Sequence, residues 1–247
     1  MQKFLFVFLF ACTLVALNSC SRSISDASAV DKTQYVIVMV SGFDSDPTPE
    51  QIAGTSIRGS GNSGMFQLMA DLEELELECK FFNWNGTEAG QSGQENPPGI
   101  DGITNWIEQR VTQKPETEFV FVGHSWGGHT VISVASQICE NSSVRFPFTV
   151  FLDASSALRG TRPAKLPDNI EAAANFHTGN LFCWGALKNA QNVENISLGD
   201  SESGFMENDF PKYGSAFDIS AHNYAEWDQN IHREIIHRIL KVVKASP

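Results

Sequence analysis

Strand-like apolar runs alternate with helix-like patterns over most of the chain. Runs without regular polar alternation, typical of strands buried on both faces of a parallel sheet, occur at residues 35–40, 79–84, 119–122 and 148–152. Apolar residues that recur every third or fourth position predict helices at residues 66–75, 100–111, 128–138 and 227–243. A weaker pattern predicts a short strand within residues 192–198. This alternation predicts an α/β domain built on a parallel sheet.

The run from Phe119 to Gly128 joins one of these strands to a Gly-x-Ser-x-Gly motif and the start of a helix. In a nucleophile elbow, a strained turn of this kind raises the serine hydroxyl above the sheet. Gly123 and Gly127 carry no Cβ and therefore let the strand and the helix approach closely. The helix N-terminus below Ser125 favours developing negative charge. The motif predicts that Ser125 is a nucleophile, with a serine in an ordinary β–α turn as the alternative.

The sequence Gly-His-Ser-Trp-Gly-Gly resembles the elbow of the α/β-hydrolase superfamily and is typical of its lipase and esterase branches. The resemblance covers the chain from about Tyr35 to the C-terminal helix. It implies an α/β-hydrolase fold, in which helices flank a mostly parallel central sheet, and a Ser–acid–His triad in that chain order. It also implies a serine hydrolase that cleaves a small-molecule or lipid carboxylic ester. No metal and no organic cofactor is implied.

The resemblance places the catalytic histidine in a loop just before the last helix, where His222 stands. His177 is its main competitor, because it ends a predicted strand or loop. The ring of His124 is expected to point away from the Ser125 hydroxyl, because the two residues are adjacent in a sharp turn. Two histidines inside the last helix are expected to be partly solvated surface residues: His232 and His237.

Asp153 is the first candidate for the acid, because it follows a predicted strand at the sheet edge where the elbow serine also emerges. In the superfamily the acid most often follows the penultimate strand, whereas some lipases place it one strand earlier, as Asp153 is here. Other carboxylates remain candidates for the acid: Asp200 is the next candidate after Asp153, followed by Asp168 and Asp218. A carboxylate that only caps a turn is the alternative for Asp153.

Backbone N–H groups at two places are expected to stabilise an oxyanion. In α/β hydrolases one donor follows the elbow serine, and the other follows an early strand, often after a His-Gly pair. Ser41-Gly42 stands at the second place here, which departs from the lipase pattern. The candidate donors are therefore Trp126 and Phe43, with Asp44 as an alternative to Phe43.

The N-terminal segment predicts export and membrane attachment. A basic start and an apolar run followed by small residues are typical of a secretory signal, which we assign to residues 1–19. The sequence at Cys20 resembles a bacterial lipobox, which implies that Cys20 becomes the lipidated first residue of the mature protein. An unmodified cysteine after an ordinary signal is the alternative. Residues 20–33 predict a polar tether, residues 34–247 the hydrolase domain, and the cell envelope is the expected location.

Charge and cysteine content limit the partners, disulfides and metal sites that the sequence predicts. A formal net charge of −12 without a basic patch argues against nucleic acid. Cys79, Cys139 and Cys183 allow at most one disulfide among them, and none has a spacing typical of metal ligands. Cys79 and Cys139 are expected to be buried structural residues.

Other functions fit the same pattern. A hydrolase-like binding module without turnover predicts a missing or misplaced triad residue. An acyltransferase or thioesterase shares the predicted triad and differs only in the acyl donor or acceptor. The Gly-rich stretches at residues 46–64 and 85–99 are expected to form long loops near the site, where a lid would lie.

Overall fold

A parallel sheet forms the centre of the protein. The computed structural model describes residues 35–42, 63–84, 100–156, 163, 165–188, 190–199 and 219–245. Within these ranges the strands are β1 Tyr35–Val40, β2 Glu78–Phe82, β3 Glu118–His124, β4 Phe148–Leu152, β5 Ala173–His177 and β6 Val193–Ser197. Their order in the sheet is β2-β1-β3-β4-β5-β6, and every adjacent pair is parallel.

Helices cover both faces of this sheet. They are α1 Gly64–Glu74, α2 Asp101–Gln113, α3 Trp126–Asn141, α4 Ile219–Ala225 and α5 Gln229–Ala245. The side chains of β1 alternate between two cores, so that Ile37 and Met39 pack with α1, α4 and α5, whereas Val36 and Val38 pack with α2 and α3. Both faces of β1 are therefore buried, which is why its sequence is apolar without alternation.

The order of the strands reverses beside β1, because β2 lies on one side of it and β3 on the other. In open parallel sheets, ligands bind at the carboxyl ends of the strands next to such a reversal. The Ser41-Gly42 pair leaves β1 at this edge, and Ser125 leaves β3 beside it. The topology thus brings the predicted oxyanion loop and the predicted nucleophile to the same place.

Most predicted elements are present, but the end of the chain differs. The single helix predicted at residues 227–243 is preceded by a separate helix, α4, and Trp227 lies in the turn between α4 and α5. Residues 1–33, which hold the predicted signal and tether, lie outside the described residues, as do both predicted long loops except residues 63 and 64. In the described part of the chain, no helix has both the length and the apolar character needed to cross a membrane.

The three cysteines within the described ranges are free thiols. Cys183 is buried and Cys79 is half-buried, but Cys139 is exposed. The expectation of a buried Cys139 is wrong, because Ile138 occupies the buried face of α3 and the next residue lies about 100° further round the helix.

Candidate active site

Ser125 occupies a strained turn between β3 and α3. Its φ of 53° and ψ of −126° are unfavourable for a residue with a side chain. Neighbouring backbone groups hold the turn in place: the Ser125 N–H donates to the Leu152 carbonyl at 3.1 Å, and the N–H groups of Gly128 and Ser155 donate to the Ser125 carbonyl at 3.0 and 2.9 Å. The strain is therefore supported by the adjacent strand and helix, as a nucleophile elbow requires.

Close backbone approach at the elbow depends on missing side chains. A Cβ on Gly127 would lie 2.1 Å from the Val40 carbonyl oxygen, and a Cβ on Gly123 would lie 2.8 Å from the Gly128 Cα. These distances confirm that the predicted glycines permit the contact of strand and helix. A Cβ on Gly42 would lie 2.7 Å from the Cβ of Ser125, so the end of β1 also passes directly beside the serine.

His222 lies between Ser125 and Asp153. Its Nε2 is 2.8 Å from the Ser125 Oγ, and its Nδ1 is 2.8 Å from the Asp153 Oδ2. Because a carboxylate only accepts hydrogen bonds, Nδ1 carries the proton and Nε2 accepts the Ser125 O–H. All three residues are buried, with at most 7% of their surface exposed. The structure thus brings the three predicted triad residues together in an order suited to proton transfer from Ser125.

Asp153 is a buried carboxylate with donors on both oxygens. The Thr178 N–H donates to Oδ1 at 2.8 Å, and the Thr178 hydroxyl lies 2.9 Å from each oxygen. The Cys183 thiol donates to Oδ2 at 3.2 Å. Burial raises the pKa of Asp153, but the bonds from His222, Thr178 and Cys183 outweigh burial and leave this pKa below its ordinary value. Asp153 is therefore an anion able to fix the tautomer of an imidazole.

The competing acids and bases lie elsewhere or outside the described residues. Asp168 is exposed and pairs with Lys165 at 2.7 Å. His177 is half-buried at the end of β5, where its Nδ1 donates to the Thr178 carbonyl at 3.4 Å. The remaining candidate acids, Asp200 and Asp218, lie outside the described residues.

Two expectations about histidines are wrong. His222 lies within the helix α4 rather than in a loop, and His232 is buried instead of partly solvated. The burial of His232 is possible because its Nε2 donates to the Glu226 carbonyl at 2.7 Å and its Nδ1 lies 3.7 Å from the Asp71 carboxylate. His237 is exposed, as expected.

Trp126 is the first residue of α3, so its N–H belongs to the positive end of that helix. Its indole ring is half-buried and packs edge-to-face on Trp84, with centroids 5.1 Å apart. Phe43 and Asp44, the candidates for the second donor, lie outside the described residues.

Several polar residues at the site were not found from the sequence. Thr178 and Cys183 contact Asp153. His124 stacks on His222, and Glu226 lies next to His124. Only His124 carried a signal, its place in the elbow motif. The others come from segments distant in sequence, where a single threonine, cysteine or glutamate has no distinctive pattern.

Asp153, Cys183 and His222 also have possible metal-ligand atoms within 4.8 Å of one another. These atoms already bond to each other within the triad. Burial and the charge of Asp153 also raise the pKa of the Cys183 thiol, which opposes the thiolate that a metal would need. The arrangement fits a hydrogen-bonded triad better than a metal centre.

A groove of about 590 Å³ opens at the other end of the sheet. Tyr35 and Glu118, which begin β1 and β3, line it together with Arg145 and Glu171. Because Ser125 follows the carboxyl end of β3, this groove is separate from the triad. The candidate active site is therefore the carboxyl edge, where the reactive side chains meet.

No family model matches the sequence, and no curated protein matches it. Several solved structures do match this chain. A candidate hydrolase from Agrobacterium vitis S4 has a TM-score of 0.53 at 10% identity, covering 86% of this chain and 89% of that one. A candidate hydrolase of the α/β superfamily from Xanthomonas campestris pv. campestris has a TM-score of 0.42 at 12% identity, covering 82% and 98%. A cutinase-like protein from Cryptococcus sp. has a TM-score of 0.44 at 15% identity, covering 87% and 97%.

At such low identities, similarity concerns the fold alone. The parallel sheet with helices on both faces is the α/β-hydrolase fold, which confirms the predicted fold class.

Proposed function

We propose that this α/β-hydrolase-fold protein is a serine hydrolase that cleaves carboxylic esters through an acyl-enzyme. The observation that supports it most is the position of His222, 2.8 Å from both the Ser125 Oγ and the Asp153 Oδ2. A binding module without turnover would have no need for this alignment or for a strained serine. The arrangement therefore favours catalysis over ligand binding alone.

In the acylation half-reaction, Nε2 of His222 accepts the Ser125 proton while Oγ attacks the ester carbonyl. The tetrahedral intermediate collapses as the bond to the alcohol oxygen breaks, and His222 passes its proton to the leaving alcohol. Asp153 keeps the Nδ1 proton in place and stabilises the imidazolium that forms between these steps.

In the deacylation half-reaction, water takes the place of the alcohol. His222 removes a proton from the water as its oxygen attacks the acyl carbon, and the proton returns to Ser125 when the acyl bond breaks. The products are the carboxylic acid and the free enzyme. No step requires a group beyond the triad, water and the oxyanion donors.

We assign the oxyanion to the backbone N–H groups of Trp126 and Phe43. Support for Trp126 is its place at the first turn of α3, directly after the nucleophile. Support for Phe43 is indirect: it follows Gly42, at which a Cβ would lie only 2.7 Å from the Cβ of Ser125.

Acyl transfer to an alcohol, or cleavage of a thioester, would use the same residues. Product analysis with and without an added alcohol would distinguish transfer from hydrolysis.

For the N-terminal segment, we propose export through residues 1–19 and lipidation of Cys20 at the cell envelope. The support is the order of basic, apolar and small residues that ends at Cys20. Incorporation of labelled fatty acid into the wild type but not into Cys20→Ala is the expected result. Equal incorporation in both would overturn this assignment.

The enzymatic proposal is tested by labelling with a fluorophosphonate and by turnover of p-nitrophenyl esters of increasing chain length. Ser125→Ala and His222→Ala should lose both signals. Ser133→Ala, whose hydroxyl donates to the His129 carbonyl within α3, and His237→Ala, at an exposed position, serve as matched controls and should retain them. A folded wild type that neither labels nor turns over would favour the binding module.

A further inference from the structure

His124, the residue before the proposed nucleophile, contacts both the ring and the backbone of His222. Its own ring is buried and stacks on the His222 ring, with centroids 4.8 Å apart and planes inclined by 27°. Its Nε2 donates to the His222 carbonyl oxygen at 3.2 Å. The His124 ring therefore packs directly on the proposed base.

The other ring nitrogen of His124 faces a buried carboxyl group. With the proton on Nε2, the neutral ring has a lone pair on Nδ1, which lies 3.5 Å from the Glu226 Oε2. Burial lowers the pKa of His124 to about 3, and burial raises the pKa of Glu226 to about 8. These directions place the proton of the pair on Glu226 at neutral pH, and its Oε2 faces a buried His124 Nδ1 that has no other hydrogen-bond partner among the described residues.

Glu226 is held by groups from the start of α1 and from α5. The Ser63 hydroxyl donates to its Oε2 at 3.3 Å, and the backbone N–H groups of Gly64 and Met65, at the start of α1, also bond to the carboxyl. From α5, the His232 Nε2 donates to the Glu226 backbone carbonyl. Glu226 itself follows α4, the helix of His222.

Among the described residues, charged and titratable groups face this pair from two sides. Asp153 and His222 face His124 from the triad side, and Asp71 of α1 faces His232 from the other side. The carboxyl of Glu226 thus lies between the start of α1 and His124, which in turn stacks on His222.

We propose that His124 and Glu226 are positioning residues for His222: the protonated Glu226 carboxyl fixes the tautomer of His124, and His124 holds the backbone and ring of His222. The proposal rests on the proposed function, because positioning matters for catalysis only if His222 is the base. Neither residue touches the reacting atoms.

If Glu226 lost its proton, it would no longer keep the His124 proton on Nε2. A carboxylate attracts an N–H, so neutral His124 would move its proton to Nδ1. The Nε2 lone pair would then face the His222 carbonyl oxygen at 3.2 Å, and the hydrogen bond would be lost. The rate should therefore fall as pH rises through the pKa of Glu226. A glutamine at position 226 can donate to Nδ1 at every pH.

The test is kcat and KM for a p-nitrophenyl ester between pH 6 and 10 in the wild type, Glu226→Gln and His124→Phe. The wild type should lose kcat with a midpoint near pH 8, and Glu226→Gln should lack this loss while matching the wild type at pH 7. His124→Phe keeps a stacked ring without the donor and should lower kcat about tenfold at unchanged KM, since small displacements of a catalytic group are costly. Glu74→Gln and His237→Phe, at exposed positions, are the matched controls.

A second readout does not depend on activity. Nitrogen-15 NMR of labelled histidine should show His124 protonated on Nε2 at pH 7 and switching to Nδ1 above pH 8 in the wild type, with no switch in Glu226→Gln. An unchanged alkaline loss in Glu226→Gln, or a fixed His124 tautomer in the wild type, would overturn the proposal. A wild type that shows the tautomer switch but no fluorophosphonate labelling would instead overturn the proposed function.

Discussion

Two buried carboxyl groups lie on either side of the same histidine pair and differ in their charge. Asp153 accepts bonds from Thr178, Cys183 and His222, and its pKa is lowered despite burial. Glu226 is as deeply buried, but its bonds from Ser63 and the start of α1 do not offset desolvation, so its pKa is raised. The difference indicates that the hydrogen bonds donated to a buried acid, and not the depth of its burial alone, decide whether it is an anion.

The largest difference in kcat is expected between the amide substitutions at these two positions. Asp153→Asn leaves the shape intact but cannot hold His222 in its reactive tautomer, so kcat should fall by about 10⁴-fold. Glu226→Gln should leave kcat at pH 7 within about twofold of the wild type. The measurement is ester turnover at pH 7 for both variants, after circular dichroism has shown that they fold. Similar losses in both would mean that the two carboxyls do not differ as their surroundings indicate.

Removing a single donor from Asp153 should have an intermediate effect. Thr178→Val deletes the hydroxyl that lies 2.9 Å from both carboxylate oxygens but keeps the backbone N–H bond. The pKa of Asp153 should rise, and kcat should fall about tenfold with KM nearly unchanged, because a charge-assisted bond contributes about 1.5 kcal/mol or more. Thr112→Val, on the exposed side of α2, is the control. Full activity of Thr178→Val would show that the other donors are sufficient.

The fold was accessible from the sequence because burial on both faces of a parallel sheet leaves apolar runs such as β1 and β4. Helical spacing located α1, α2 and α3, because each of these helices buries one face against the sheet. α4 was missed because seven residues span only two turns and show little periodicity.

The candidate site was only partly accessible. The elbow motif pointed to Ser125, and chain order by resemblance pointed to Asp153 and His222. The environment that sets the charge of each acid depends on contacts such as Glu226 with Ser63, 163 residues apart, which one sequence does not reveal. His232 was misplaced because a histidine on an amphipathic helix is usually solvated, and only its contacts explain its burial.

Stability should distinguish the two carboxyls through its dependence on pH. The unfolded chain releases the Glu226 proton near its ordinary pKa of 4.5, whereas the native state holds it until about pH 8. Between these values the native state binds more protons, so Glu226 makes the wild type less stable as pH rises. The advantage of Glu226→Gln over the wild type should therefore grow by roughly 4 kcal/mol from pH 4 to pH 8, as each pKa unit of the difference between the two states is worth about 1.4 kcal/mol. Urea unfolding at pH 4, 6, 8 and 9 measures it, and a constant difference would contradict it.

The smallest effect concerns Cys183, which reports the charge of Asp153. Burial and the Asp153 carboxylate both raise the pKa of the Cys183 thiol, so iodoacetamide should label exposed Cys139 first and Cys183 slowly. Asp153→Asn removes the charge and should speed labelling of Cys183 several-fold, whereas Glu226→Gln should not change it. Peptide mass spectrometry over time gives both rates, with Cys139 as the internal reference. Equal acceleration by both variants would point to loosened packing around the thiol rather than to the charge of one carboxylate.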